Sequence, residues 1–283
     1  MNIQSISGGV SNDIYLIEGK SILRIYGQSR NDLIDEDNEL KIVRHLGHQH
    51  KIAPKILFEF IGGRLEEYID NCRNLNIEDL QDEKFRNKLL KKLKLIHNTE
   101  INNLDKTPLL IKNINEWTDK AKQVNLHHEF DDLFKLKDFL IDQLNHFKKE
   151  TLGIKLCHND LQKNNILVSN KKMRLIDFEY AGYNFVEFEI ANFLSELNFT
   201  YNDTDFEYVD NRNDELYKQI CNEYAYDEIE GIKLYNNITF FMVCSHYLWI
   251  MWAIIKNHIE NNSFKYIKYA QYRLNLLKNI HSW

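Results

Sequence analysis

The sequence predicts an α+β fold in two lobes, a β-rich N-terminal lobe over 1–70 and a mainly helical C-terminal lobe over 71–283. Two observations carry this. Short β-type runs separated by glycine turns fill the first part of the chain, with one helical stretch among them. From Ile77 onward apolar residues recur three and four apart, interrupted by a short β island. The size agrees: 283 residues allow one large domain or two joined lobes and can bury roughly three-quarters of the extended-chain surface. A hydrophobic share of 43% with 28% charged residues excludes a disordered tail, a collagen and a simple coiled coil. With only 2 prolines and 10 glycines, no Pro/Gly-rich linker divides the chain.

In order, Asp13–Ile17 and Ser21–Ile25 flank Glu18-Gly19-Lys20 and read as a hairpin. The spacing of Leu33, Ile34, Leu40, Val43 and Leu46 predicts a helix over 33–49 with Gly47 near its end. Pro54 punctuates, and Ile56–Phe60 with Arg64–Ile69 reads as a second hairpin around Gly62-Gly63. Phe85, Leu89, Leu90, Leu93 and Ile96 mark one helix face, and one or two helices lie between Ile114 and Phe147. The β island comprises 154–156, 166–168 and 174–176. Everything after Val186 reads as helix, broken by an acidic, Asn-rich stretch over 201–214 that is either a disordered loop or a lid. Ile238–Ile255 is apolar enough to approach a spanning helix. Its tryptophans lie inside the run, not at its ends, so a buried core helix is expected and no stable membrane insertion.

The strongest chemical signal is His158-Asn159-Asp160-Leu161-Gln162-Lys163-Asn164-Asn165, followed by Asp177-Phe178-Glu179. Asp160 and Asn165 are five apart on a loop between two short strands, and Asp177 follows a third strand, so all three can enter one cleft. An acid that takes a hydroxyl proton, with an amide and a carboxylate for Mg²⁺, is the layout phosphoryl transfer from ATP needs. Hard Mg²⁺ takes oxygen ligands and keeps several waters, so one Asn and one Asp suffice from the protein. Either segment alone is also readable as polar surface loop; together and in this order they are far more specific. Gly8-Gly9-Val10-Ser11-Asn12 places glycines where backbone N–H groups can approach phosphates, although two glycines in a turn are common. Arg24 is a cation in an apolar strand, suited to the phosphates or else an edge-strand surface charge. Glu39, on the next helix, is placed to pair with it, with Glu36 as a competitor and a solvated helix face as the other reading.

These residues resemble the choline/ethanolamine kinase family nearly end to end. Leu23–Gly27 (LRIYG) is similar to its phosphate-binding strand, which also carries arginine, and Ala53–Ile69 resembles the segment leading into the interlobe hinge. His158–Leu167 (HNDLQKNNIL) is close to HNDLQxGNIL. Ile176–Glu196 resembles the second signature, and Ser245–Ile254 and Tyr269–Leu274 resemble the C-terminal helices. Asn164 replaces a glycine, Glu189 stands where the family has aspartate, and Asn192-Phe193-Leu194 replaces an Asn-His-Phe pattern. The resemblance implies a protein kinase-like fold binding ATP and Mg²⁺. Asp160 would be the base, Asn165 and Asp177 the metal ligands, and Ser11, Asn12, Arg24 and Glu39 the nucleotide side. It implies an amine cage of Tyr180, Trp249, Trp252 and Tyr269 with Glu196 beside it. Aromatic faces suit choline, a quaternary ammonium without N–H donors, and Trp249 and Trp252, three apart, share one helix face.

The expected reaction is phosphorylation of choline. The alternatives are ethanolamine or both amines, and less so another amino alcohol or an aminoglycoside. A catalytically dead binding module should lack one of Asp160, Asn165 and Asp177, and all are present. A net charge of −6 argues against nucleic acid as partner. Cys72, Cys157, Cys221 and Cys244 form no CxxC pair and read as reduced thiols. The N-terminus has neither the basic nor the apolar region of a signal peptide. A cytoplasmic location is therefore expected; the oligomeric state is not readable, and a homodimer stays open.

Overall fold

The computed structural model describes residues 2–6, 12–27, 33–148, 151–169, 172–260 and 263–280. The chain opens with an antiparallel sheet whose strands are β1 (Ile3–Ser5), β2 (Asn12–Ile17), β3 (Ser21–Tyr26), β4 (Ile56–Phe60) and β5 (Gly63–Glu67), in the order β1-β2-β3-β5-β4. Both predicted hairpins are present, and β1 is an addition the sequence reading missed. Gly62 adopts φ +85° at the β4–β5 turn, a conformation that favours glycine. The α1 helix spans Glu36–His48, shorter at its start than predicted, because Asp35 caps it by accepting from the Asn38 N–H at 3.0 Å.

Beyond the sheet, the short strand β6 (Arg73–Asn74) pairs with β8 (Ile166–Val168), which pairs with β9 (Met173–Leu175). The amphipathic face at 85–96 forms α2 (Glu83–His97), with Leu89, Leu90, Leu93 and Ile96 buried. The 114–147 region holds two helices, α3 (Leu109–Val124) and α4 (Leu136–Phe147). β7 (Ile154–Cys157) pairs with β10 (Gly182–Phe185), a strand the sequence reading missed.

After β10 comes α5 (Val186–Glu196), in which every residue is buried. The stretch read as a disordered loop or a lid begins at the last residue of β11 (Phe199–Tyr201), which forms a hairpin with β12 (Phe206–Tyr208), and runs up to α6 (Asp214–Tyr224). The apolar run lies within α7 (Glu228–Ile259), where 78% of the most apolar window is buried. α7 packs against α3, α5, α6 and α8 (Tyr266–Ile280) and forms the centre of the helical part. A helix apolar on all sides is stable in this position because protein surrounds it.

Candidate active site

The loop from β7 to β8 and the segment after β9 are zipped together by the backbone. Ile166 pairs with Leu175, and the Ile176 N–H donates to the Asn165 carbonyl at 3.0 Å. His158 is fully buried, and burial lowers its pKa, so the ring is neutral and its Nε2 donates to the Ile176 carbonyl at 2.8 Å. Two non-glycine residues here take left-handed backbone, Asn159 (φ +66°) and Asp177 (φ +65°). Asn and Asp tolerate that region better than most residues, and their neighbours hold them there. Asn159 Nδ2 donates to the Tyr180 carbonyl at 2.9 Å, and its Oδ1 accepts from Asn184 on β10 at 2.8 Å.

Glu189 on α5 fastens the same loop, its two oxygens accepting from the backbone N–H groups of His158 (2.8 Å) and Asn159 (2.9 Å). Burial opposes its ionisation, but its contact with His97 and the His158 N–H outweigh that and hold its pKa below the usual range. The residue that departs from the family pattern therefore anchors the start of the 158–165 loop. Asn192, one turn on, accepts from Ser245 Oγ and Trp249 Nε1, both at 2.8 Å. Glu189, Asn192 and Glu196, spaced i, i+3, i+7, form one polar stripe on a buried helix. Polar residues at that spacing in an apolar helix were the signal that could have singled out Asn192.

One cavity of about 600 Å³ gathers most of the predicted site. Its lining includes Asn12, Arg24, Asp160, Asn165, Asp177, Tyr180, Glu196, Trp249, Trp252 and Tyr269. The Asp160 carboxylate and the two tryptophans thus face the same space. Ser11, with the glycine turn before it, lies outside the described residues.

The expected Arg24–Glu39 pair is not formed. Arg24 and Arg64 are register partners on β3 and β5, so both point to one face of the sheet. Arg64 is the one that reaches α1, donating through Nη2 to Glu39 at 2.7 Å, and its Nε bonds Glu66. Glu39 is buried on that same face of the sheet and is not among the residues lining the cavity. Arg24 turns toward the cleft instead, with Nη1 3.1 Å from Asp177 Oδ1 and Nε 3.7 Å from Glu66 Oε1.

Burial, and then the charges of Glu196, Asp177 and Glu179, push the Asp160 carboxyl well above the usual carboxylate range. A more basic carboxylate is a better proton acceptor. Asn165 Nδ2 donates to the Asp160 carbonyl at 2.9 Å and to Asp160 Oδ2 at 3.1 Å. With its nitrogen committed, Oδ1 is the atom it can offer to a cation. That amide oxygen and the Asp177 carboxylate are hard donors that fit Mg²⁺.

At the other end the rings meet edge to face. Tyr180 and Trp249 have centroids 5.4 Å apart, Trp249 and Trp252 5.7 Å, and Trp252 and Tyr269 6.2 Å. Trp252 Nε1 donates to the Tyr180 hydroxyl at 2.7 Å. Tyr201, from the β11–β12 hairpin, and Phe264 also line the cavity and were missed. The Tyr201 hydroxyl donates to Glu196 Oε2 at 2.7 Å. Alternating aromatics in Phe199-Thr200-Tyr201 and Phe206-Glu207-Tyr208, around Asn202-Asp203, were the available hairpin signal.

With this geometry in view, likeness to known proteins acquires meaning. A family model described as choline/ethanolamine kinase matches residues 3–278. Probable choline kinase 3 of Arabidopsis thaliana is 27% identical over 299 residues, covering 96% of this chain and 84% of that protein. Ethanolamine kinase 2 of Homo sapiens is 29% identical over 264 residues, covering 90% of this chain and 68% of that protein. The crystal structure of choline kinase from Cryptosporidium parvum superposes with a TM-score of 0.82 at 24% identity, covering 99% of this chain and 88% of that one.

Proposed function

The chain belongs to the choline/ethanolamine kinase family, and we propose that its preferred acceptor is choline. It has the protein kinase-like fold and is a phosphotransferase acting on an alcohol. The observation that carries the choline reading is the single cavity lined both by Asp160, Asn165 and Asp177 and by Tyr180, Trp249, Trp252 and Tyr269. Ring faces hold a trimethylammonium head, which has no N–H to donate. The hydroxyl end of the same molecule then points at Asp160.

In this reading residues 1–70 form the nucleotide-binding lobe and 71–283 carry the catalytic loop and amine pocket. Asp160 orients the acceptor hydroxyl and takes its proton as the oxygen attacks the γ-phosphorus of ATP, while the bond from that phosphorus to the β,γ-bridging oxygen breaks and ADP leaves. Arg24, already turned into the cleft, leaves Asp177 and steadies the phosphates together with Ser11 and Asn12. Asn165 Oδ1 and the Asp177 carboxylate hold Mg²⁺. When bound, Mg²⁺ offsets the phosphate charge. Glu39 supports this side indirectly, through Arg64 and Glu66. Four cysteines without disulfides fit action in the cytoplasm.

Ethanolamine is the second reading, favoured by the acceptors Glu179, Glu196 and the Tyr201 hydroxyl in the same cavity. The test is purified protein with Mg²⁺ and ATP against choline, ethanolamine and an aminoglycoside, with ADP and the phosphorylated product both measured. The expected result is product from both amines with the higher kcat/KM for choline. Higher kcat/KM for ethanolamine replaces the choline reading with the second one, and turnover of the aminoglycoside alone rejects both.

A further inference from the structure

Glu196 is not a bare carboxylate waiting for a cation. Arg273 of α8 is completely buried and bonds Glu196 Oε1 through Nη2. The same nitrogen lies 3.1 Å from the Tyr201 hydroxyl, and Nη1 lies 3.2 Å from His246 Nδ1. The guanidinium rests over two ring faces, 4.4 Å from the Phe199 centroid and 4.7 Å from that of Tyr269. Both Glu196 oxygens are thus already accepting, Oε1 from Arg273 and Oε2 from Tyr201. The charge of the acidic wall of the amine pocket is cancelled from behind by a residue outside the cavity lining.

We propose that Arg273 is a positioning residue that sets amine preference: by neutralising Glu196 it leaves ring faces as the main grip on the substrate cation. The inference rests on the amine-kinase reading above. A trimethylammonium group is weakly hydrated and asks only for faces. A primary ammonium must replace its hydration with N–H acceptors, and a carboxylate occupied by arginine and tyrosine is a poor one. Without Arg273, the Glu196 charge stands uncompensated at the pocket wall. A small, N–H-bearing cation answers it better than a methylated one.

The experiment is a double-mutant cycle of Arg273→Met and Glu196→Gln, reading kcat/KM for both amines and amine binding by quenching of tryptophan fluorescence. Arg273→Met is expected to move the ethanolamine-to-choline ratio toward ethanolamine by about tenfold, with the same shift in binding. In the Glu196→Gln background, Arg273→Met should move it less than twofold. A guanidinium that merely supports the fold would lower both amines equally in both backgrounds. Should Arg273→Met fail to fold, Tyr201→Phe removes the other donor to Glu196 while keeping the ring, and a threefold shift in the same direction is expected. An unmoved ratio, or an equal shift with and without Glu196, overturns the inference while normal wild-type turnover leaves the amine-kinase reading standing. A wild type that phosphorylates neither amine removes both.

Discussion

The end of the cleft proposed to take the phosphates and the end proposed to take the amine are both organised around buried arginine–glutamate pairs, yet they handle charge in opposite ways. At the phosphate end the ion pairs run as a relay, Glu39–Arg64–Glu66–Arg24–Asp177. The relay opens into the cleft at Asp177, whose side chain keeps 23% of its exposure. At the amine end the pair is closed, with Arg273 at 0% and Glu196 at 3% side-chain exposure. The difference suits the proposed ligands. A triphosphate brings several charges, and groups that exchange partners can meet them. An onium ion brings one diffuse charge, which rings can hold if the wall has already spent its own.

Breaking the phosphate end at its centre should have the largest effect. Asp160→Ala is expected to lower kcat by about 10³-fold, within the range for a lost general base. Its thermal unfolding midpoint should stay near that of the wild type, because Asn165 Nδ2 still has the residue-160 carbonyl as acceptor. A tenfold loss or less in a folded variant would remove the base assignment. Arg64→Met should act on stability first. It breaks the buried pair with Glu39, and losing one member of a buried pair costs about 3 kcal/mol. Urea unfolding measures this, and a change below about 1 kcal/mol would mean that the relay does not hold α1 against the sheet.

Breaking the amine end should sort the two substrates. Trp252→Ala is expected to reduce kcat/KM for choline on the order of tenfold more than for ethanolamine, because the ring supplies both a cation-facing wall and the Nε1 donor to Tyr180. Equal losses would count against a cage tuned to a quaternary ammonium.

The smallest effect concerns the anchor shared by both ends. The pKa of Glu189 is lowered in the folded protein, so its contribution to stability is fully present above the ordinary glutamate value of about 4.3 and is lost as pH falls through the lowered value. Glu189→Gln should therefore unfold at a lower temperature than wild type at pH 7, and the gap should narrow below about pH 4. A gap independent of pH would show that the carboxylate acts by hydrogen bonding alone.

Much of the site was legible because its residues are close in sequence. Asp160 and Asn165 share one loop, Asp177 ends the next hairpin, and Trp249 and Trp252 share a helix face. The β10 strand was not legible. Gly182-Tyr183-Asn184-Phe185 has no strong period, and its partner β7 lies 25 residues away between Gly182 and Cys157. The β11–β12 hairpin was hidden by its acidic turn, and with it the path that brings Tyr201 to the cavity.

The Arg24–Glu39 expectation failed because proximity along the chain is a weak guide to which arginine faces α1. Cross-strand register put Arg64 in that place.

The amino-acid sequence alone determined the two hairpins of the first sheet, most of the helices, the acid–amide–acid pattern and the supply of aromatic residues. Those depend on local periodicity and on residue types within a few positions of one another. Tertiary structure decided which charge meets which: Arg64 with Glu39, Arg24 with Asp177, Arg273 with Glu196. An ion pair buried between distant segments is selected by packing and register, and neither is written in the spacing of the residues that form it.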